Sequence, residues 1–509
     1  MKVTLDGLKI QTRDDLHDCF AQALQLPAWY GRNLDALHDC LTDIHQDTDI
    51  YIRNDSALTE HLGPYTRHLF GMLHHAEAHN PYIHVFFDTK KETHSVKNNF
   101  KFIIHNNGDI SKKDPTKAKE MFRIEYGREA RKFHRQIPGY EMTPLVALPN
   151  LANLLGVGGI YVKNEAMRLH MNSFKVMGGS YAIYRLVKQL LGRENEDLSF
   201  DYMVSEECHK ALGDLTFCSA TDGNHGRGLA WACQKLNYPC KIYVHSETSQ
   251  PRIDAIRKFG AEVTVVDGNY DDAVRQAAED AKKNGWYVVS DTSWPGYEEI
   301  PTWIMQGYNS IMLETQEQFS AMGIVKPTHV FVQAGVGAMA ASVVGFYSAL
   351  FPEDPPLFIV VEPDKAPCIY ESIAAGDGEC HSVEGALDTI MAGLACGDPS
   401  PVAFDILKNN ADVFIQVPDN VAARGMRILG CPLHGDPLII SGESGAVPLG
   451  TLFALQTDEI DPELKKVLNL NSDSTVFMIN TEGNTDPIEF RRIIWDGKDP
   501  VPTKFRIDK

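Results

Sequence analysis

Met171-Asn-Ser-Phe-Lys175-Val-Met-Gly-Gly-Ser180 sets one lysine directly before a glycine pair and a run of helix-forming character. A lysine amine condenses with a carbonyl to form a Schiff base, and glycines beyond it let backbone approach a bound group closely. Most lysines in such a place are solvated first-turn residues, so the stretch gains its meaning from three others. These are Ser219-Ala-Thr-Asp222-Gly-Asn224-His-Gly226-Arg-Gly228, Gln333-Ala-Gly335-Val-Gly337-Ala-Met339 and Asn480-Thr481-Glu-Gly483-Asn. Outward from Lys175, short apolar runs alternate with helix-forming stretches: Ile160-Tyr-Val-Lys163, Ile242-Tyr-Val-His245, Val263-Thr-Val-Val266, Val330-Phe-Val-Gln333 and Leu357-Phe-Ile-Val-Val-Glu362. That alternation predicts α/β architecture, with doubly wound parallel sheets covered by helices and ligands at the carboxyl ends of strands.

Val330 to Met339 reads as a strand running into a glycine loop that opens a helix. Backbone N–H groups and the positive helix end then converge on one point, which suits a phosphate. No third glycine completes a dinucleotide fingerprint, so a monophosphate is favoured. Thr221 to Gly226 is rich in hydrogen-bonding groups; its bland reading is a helix start capped by Asp222 or Asn224. Thr481 follows an apolar strand, Thr475 to Ile479, and an ordinary strand-end turn would look the same. Together, a Schiff-base lysine, a monophosphate loop, an amide-bearing loop and a strand-end hydroxyl are the parts that hold pyridoxal phosphate.

From about Arg131 onward the chain resembles the diaminopropionate ammonia-lyase family, of the tryptophan-synthase-β (fold type II) group. Further blocks carrying that resemblance are Asp291-Thr-Ser-Trp-Pro-Gly-Tyr297, Ile300 to Tyr308, Val361-Glu-Pro-Asp-Lys365, Ile390 to Gly397 and Ser441-Gly-Glu-Ser-Gly-Ala446. The resemblance implies Lys175 as the residue linked to the cofactor aldehyde, with Phe174 beside it and Asn224 on the ring oxygen. It implies Gly335, Val336, Gly337, Ala338 and Met339 around the phosphate and Thr481 at the ring nitrogen. It also implies two bases, Lys175 for the L substrate and Asp222 for the D substrate, releasing ammonia, then pyruvate and a second ammonia. Asp222 and Asp291 are suited to the second ammonium of such a substrate and would exclude serine or threonine. Asn164-Glu-Ala-Met-Arg-Leu-His170, just before the lysine, departs from the expected acid-rich, glycine-containing approach. The alternative enzyme is a serine or threonine dehydratase of the same fold.

The first ninety residues form a separate small α/β pattern. Val3 to Ile10 reads as a strand turning at Asp6-Gly7, a helix carries Leu16, Phe20 and Leu24, and a second helix begins near Asn33 with Leu34, Leu37 and Leu41 on one face. Asp49 to Arg53 reads as a strand, Thr59 to Ala78 as a helix and Tyr82 to Phe87 as a strand. Leu26-Pro-Ala-Trp-Tyr30-Gly-Arg-Asn33-Leu-Asp35-Ala-Leu-His-Asp39-Cys-Leu41 resembles the signature block of barstar, the inhibitor of the ribonuclease barnase. The resemblance implies that Asp35 and Asp39, on one helix face by their spacing, enter a ribonuclease site. The plain reading of those acids is a solvated face, and His75 and His79 stand where the barstar pattern has further acids. What the barstar resemblance implies, against that plain reading, is a ribonuclease-binding protein as the competing function.

The expected organisation is a barstar-like unit over residues 1–90, a polar linker over 91–118 in which Phe100 to His105 has edge-strand character, and a lyase body over 119–509. The body comprises a large domain (119–177 and 301–509) and a smaller one (178–300). A net charge of −20 argues against a nucleic-acid binder. No run approaches the ~18 apolar residues of a membrane span, and without a signal-peptide core the chain reads as cytoplasmic. Ten cysteines with no CxxC pair suggest no metal site; Cys368 and Cys396, in loops near matched motifs, are candidates for a thiol pair. Homodimerisation is the family expectation.

Overall fold

A computed structural model describes residues 2–27, 30–88, 100–106, 108–221, 223–246, 248–268 and 270–505. The chain forms two compact units, residues 1–97 and 98–509.

In the first unit three parallel strands, β1 (Lys2–Asp6), β2 (Thr48–Arg53) and β3 (Ile83–Asp88), lie in the order β1-β2-β3. The side chain of Asn33 accepts from Ala36 N–H at 2.8 Å and starts the helix Leu34–Thr42. That helix buries Leu37 and Leu41 and leaves Asp35 and Asp39 exposed. The single helix expected over Thr59 to Ala78 is two, Asp55–Leu62 and Pro64–His79, because Gly63 takes φ 57° and Pro64 begins the second. Proline has no N–H for an interior hydrogen bond but fits a first turn. Leu62, Leu69, Leu73 and Ala76 still face inward.

The second unit holds two sheets. The larger has seven strands: β4 (Lys101–Ile104), β5 (Leu145–Ala147), β6 (Gly159–Asn164), β11 (His329–Gln333), β12 (Leu357–Pro363), β13 (Val413–Val417) and β14 (Thr475–Asn480). Their order is β4-β13-β12-β11-β14-β6-β5, with parallel pairing except for the antiparallel edges β4 and β5. The smaller sheet is fully parallel, ordered β10-β7-β8-β9: β7 (Phe217–Ala220), β8 (Cys240–His245), β9 (Glu262–Val266) and β10 (Tyr287–Val288). All four lie inside the stretch 178–300 expected for the smaller domain. Every residue of β11 and β13 is buried, as strands covered on both faces must be.

Part of the stretch read as a linker is folded into the large sheet. β4 pairs with β13 from Lys101 opposite Gln416 to Ile104 opposite Val413. Beyond it Lys113 meets Asp412 at 2.7 Å, with both side chains almost fully buried. The helix Thr116–Met121 then buries Ala118. An edge strand has only one neighbour and is half covered, so its apolar signal is weak.

Candidate active site

Lys175 is delivered by an unusual piece of backbone. Leu169, His170 and Asn172 take φ of 49°, 57° and 51°, a left-handed conformation that costs about 1–2 kcal/mol per non-glycine residue. The compensation is a buried ionic network. Arg168 donates to Glu165 at 2.8 and 2.9 Å, to Glu314 at 2.7 and 2.9 Å, to Thr143 at 3.2 Å and to the Glu141 carbonyl at 3.0 Å. Lys163 donates at 2.8 Å to Glu314 Oε2, the oxygen that also accepts from Arg168 Nη2. Burial alone would raise the Glu314 pKa; Arg168 and Lys163 outweigh it and bring it down to about 2. The segment that departs from the expected acid- and glycine-rich approach is thus held by charge pairing.

Three further contacts fix the lysine. Phe174 N–H donates to the Thr481 carbonyl at 3.2 Å. The Met171 carbonyl accepts from Arg227. His134 Nε2 donates to the Met177 carbonyl at 2.9 Å, and its Nδ1 accepts from Ser310 at 2.7 Å. The helix Asn224–Leu236 approaches so closely that a Cβ on Gly228 would stand 2.8 Å from Val176 N, which only glycine permits.

The Lys175 amine contacts the carboxylate of Asp291, and His225 Nδ1 stands 3.8 Å from the same carboxylate. Asp291 is buried. Burial would push its pKa up, but the charges of His225 and Lys175 and the lysine hydrogen bond hold it well below the usual carboxylate range. Asp291 is therefore a charged carboxylate beside the amine. Asp222 lies outside the described residues. The hydroxyl of Thr221 accepts from Gly223 and Gly226 N–H, both at 3.0 Å, so it satisfies the helix start and leaves Asn224 for other contacts.

β11 runs into Gly335-Val-Gly337, and the helix Ala338–Leu350 follows. Gly337 has φ 100°. A Cβ on Gly335 would lie 3.1 Å from both Cys396 Sγ and Leu394 Cα. Among the described residues the N–H groups of Gly335 to Met339 find no acceptor. A cradle too tight for a side chain and lined by free donors fits a phosphate. At the end of β14 the Thr481 hydroxyl accepts from Gln333 Nε2 at 2.8 Å. Its own proton remains for an acceptor, which suits an unprotonated ring nitrogen. The residues present therefore fit pyridoxal phosphate.

Phe174, Lys175, Asn224, Asp291, Gly335 to Met339 and Thr481 all line one cleft of about 1260 Å³. The structure thus brings together every described body residue given a catalytic or cofactor role from the sequence, while Asp35 and Asp39 belong to the other unit. Cys396 lines the cleft and the Cys368 thiol donates to the Gly335 carbonyl at 3.5 Å; among the described residues neither takes part in a disulfide. Two contributors lay inside quoted motifs without an assigned role: Gln333, which orients Thr481, and Glu482, which accepts from Asn224 Nδ2 at 2.7 Å. Their places directly before a glycine loop and directly after Thr481 were the available signal.

Residues 137–473 match the family described as pyridoxal-phosphate dependent enzyme, and residues 1–92 match barstar (barnase inhibitor). The chain is 48% identical over 382 residues to diaminopropionate ammonia-lyase of Escherichia coli K12, covering 75% of this chain and 94% of that protein. It is similar, with TM-score 0.69 and 45% identity over 79% of this chain and 98% of the other, to that Escherichia coli enzyme solved with an aminoacrylate-PLP azomethine reaction intermediate. L-threonine dehydratase of Escherichia coli K12 is 27% identical over 61% of this chain and 52% of that protein.

Proposed function

The chain belongs to the family of pyridoxal-phosphate-dependent enzymes, and on that premise we propose that it is a lyase converting 2,3-diaminopropionate and water to pyruvate and two ammonia. The observation that carries this reading is the charged Asp291 carboxylate in contact with the Lys175 amine inside the cleft.

When bound, pyridoxal phosphate supplies an aldehyde for an amine and a conjugated ring that stabilises negative charge at the substrate α-carbon. The protein does the rest. Lys175 yields its place to the substrate amine and, freed, takes the α-proton on its own face. Asp222 is the base for the opposite stereoisomer. Asp291 replaces its lysine partner by the substrate's second ammonium, a cation that serine and threonine lack, and a hydroxyl offered there would leave the buried charge unpaired. The loop Gly335 to Met339 would hold the phosphate, Asn224 would meet the ring oxygen and Thr481 would donate to the ring nitrogen without supplying it a charge, an arrangement that would favour prompt loss of the β-amine.

The test is release of pyruvate and ammonia from D- and L-2,3-diaminopropionate, with serine and threonine as rivals. Release from diaminopropionate alone, lost in Lys175→Ala, is expected. Faster ammonia release from serine, with pyruvate, or from threonine, with 2-oxobutyrate, would replace this reading with a dehydratase.

The barstar-like unit adds a second activity, favoured by the exposed pair Asp35 and Asp39 on one helix face. These acids bind a barnase-like ribonuclease, and Asp39→Ala weakens that binding in a titration with the ribonuclease. The body acts as a cytoplasmic homodimer, for which sedimentation gives the mass. Among the described residues no helix is long and apolar enough to cross a membrane.

A further inference from the structure

Glu482 is buried at 5% exposure and joins four segments of the site. Its backbone forms a bridge to Ser173, two residues before Lys175, and its carbonyl accepts from Gly442 N–H at 2.9 Å. One carboxylate oxygen accepts from Ser444 N–H at 3.1 Å, at the start of the helix Glu443–Gln456. The other accepts from Asn224 Nδ2 at 2.7 Å. Asn224 follows β7 of the small sheet and Glu482 follows β14 of the large one, so this bond crosses the cleft.

The chemistry of the partners fixes the amide. Arg227 donates to Asn224 Oδ1 at 3.2 Å, and a guanidinium can only donate. A carboxylate can only accept, so the amide nitrogen faces Glu482 and one N–H is left over. We propose that Glu482 is the positioning residue for Asn224, drawing the amide of the small-sheet lobe onto the large sheet and aiming its remaining N–H at the cofactor ring oxygen. The inference rests on the role proposed above for Asn224. Charge matters here as well as shape, because glutamine at 482 has one acceptor for two donors and would turn its own N–H groups toward Asn224 or Ser444.

A double-mutant cycle on the full chain tests it, with pyridoxal phosphate as the probe. Cofactor dissociation constant and the pH midpoint of the lysine-linked cofactor's visible band are measured for Glu482→Gln, Asn224→Ala and the pair. Glu482→Gln is expected to weaken the cofactor roughly tenfold, as loss of a charge-assisted hydrogen bond does, and to move the midpoint. Glu482→Asp, which keeps the charge, is expected to fall between. In the Asn224→Ala background Glu482→Gln should change neither quantity further, since partners acting as one unit are not additive. The same effect in both backgrounds, or none in the wild type, overturns the proposal. Should Glu482→Gln not retain cofactor, hydrogen exchange of residues 223–229 in the cofactor-free protein decides: faster exchange confined there supports the inference, and unchanged exchange overturns it. Turnover is read separately, so a non-additive cycle without ammonia release would sink the lyase reading and leave this one standing.

Discussion

Replacing Gly335 by alanine tests whether the cradle between β11 and its helix is built to the dimensions of a phosphate. The added Cβ would stand 3.1 Å from Leu394 Cα, 3.1 Å from Cys396 Sγ and 3.2 Å from the Gly393 carbonyl. Cysteine can rotate away, but the Leu394 and Gly393 atoms are backbone, so two loops lining the cleft must separate by a few tenths of an ångström. Gly335 is absent from the residues with positive φ, so the effect is steric and not conformational. Overpacking of this kind costs about 1–3 kcal/mol. If the strain falls on the cofactor-bound form, the dissociation constant rises by roughly fivefold to 150-fold. The assay is titration of pyridoxal phosphate into the variant, followed by absorbance, beside Gly430→Ala, where a Cβ meets nothing within 4 Å. Equal affinity for both variants would refute the tight-cradle argument.

Arg168→Met leaves Glu165 and Glu314 buried with Lys163 as the remaining cation near them, and should destabilise the body by about 3–5 kcal/mol, as removal of one partner from a buried ion cluster does. An unchanged urea midpoint would show that the cluster is not what holds the approach to Lys175. His134 is fully buried, and burial first, then the Arg168 charge, brings it from 6.5 to about 3. Its folded value lies below its unfolded one, so the unfolded chain binds the proton first, and stability declines as pH falls below 6.5 and keeps declining to about 3. The slope from this group is about 1.4 kcal/mol per pH unit, and His134→Gln should flatten it in unfolding measured across that range. Thr481→Val should weaken pyridoxal phosphate roughly tenfold and strand one N–H of the Gln333 amide, whose other N–H keeps the Ile479 carbonyl at 3.2 Å, since a buried donor without a partner costs about 1–3 kcal/mol; unchanged affinity would remove Thr481 from the site.

What could be read in advance follows from the range of the forces involved. Strands β6, β8, β11, β12 and β14 are visible because largely buried strands produce continuous apolar runs, and β9, though half-buried or exposed, because of its β-branched residues. The glycine loop, Lys175 and Thr481 are visible because each is a local pattern at a strand or helix end. The network around Arg168 is not, since Glu314 lies 146 positions away on the helix Glu299–Ala321 and nothing local distinguishes it from a solvated glutamate. Glu482 sat inside a quoted motif, but its partner Asn224 is 258 positions distant. The break at Gly63-Pro64 is present in the sequence, but the apolar spacing continues on either side of it and reads as one helix.

The pairing of β4 with β13 bears on how the two units can be separated in the laboratory. A body begun at residue 119, the boundary suggested by composition, would lack the strand opposite Val413 to Gln416 and the lysine opposite Asp412. It would present a bare apolar sheet margin, a template for strand addition between molecules, with an unneutralised buried carboxylate at its end. A body begun before Phe100 keeps both, so solubility on truncation should change abruptly across some twenty residues that carry none of the catalytic groups.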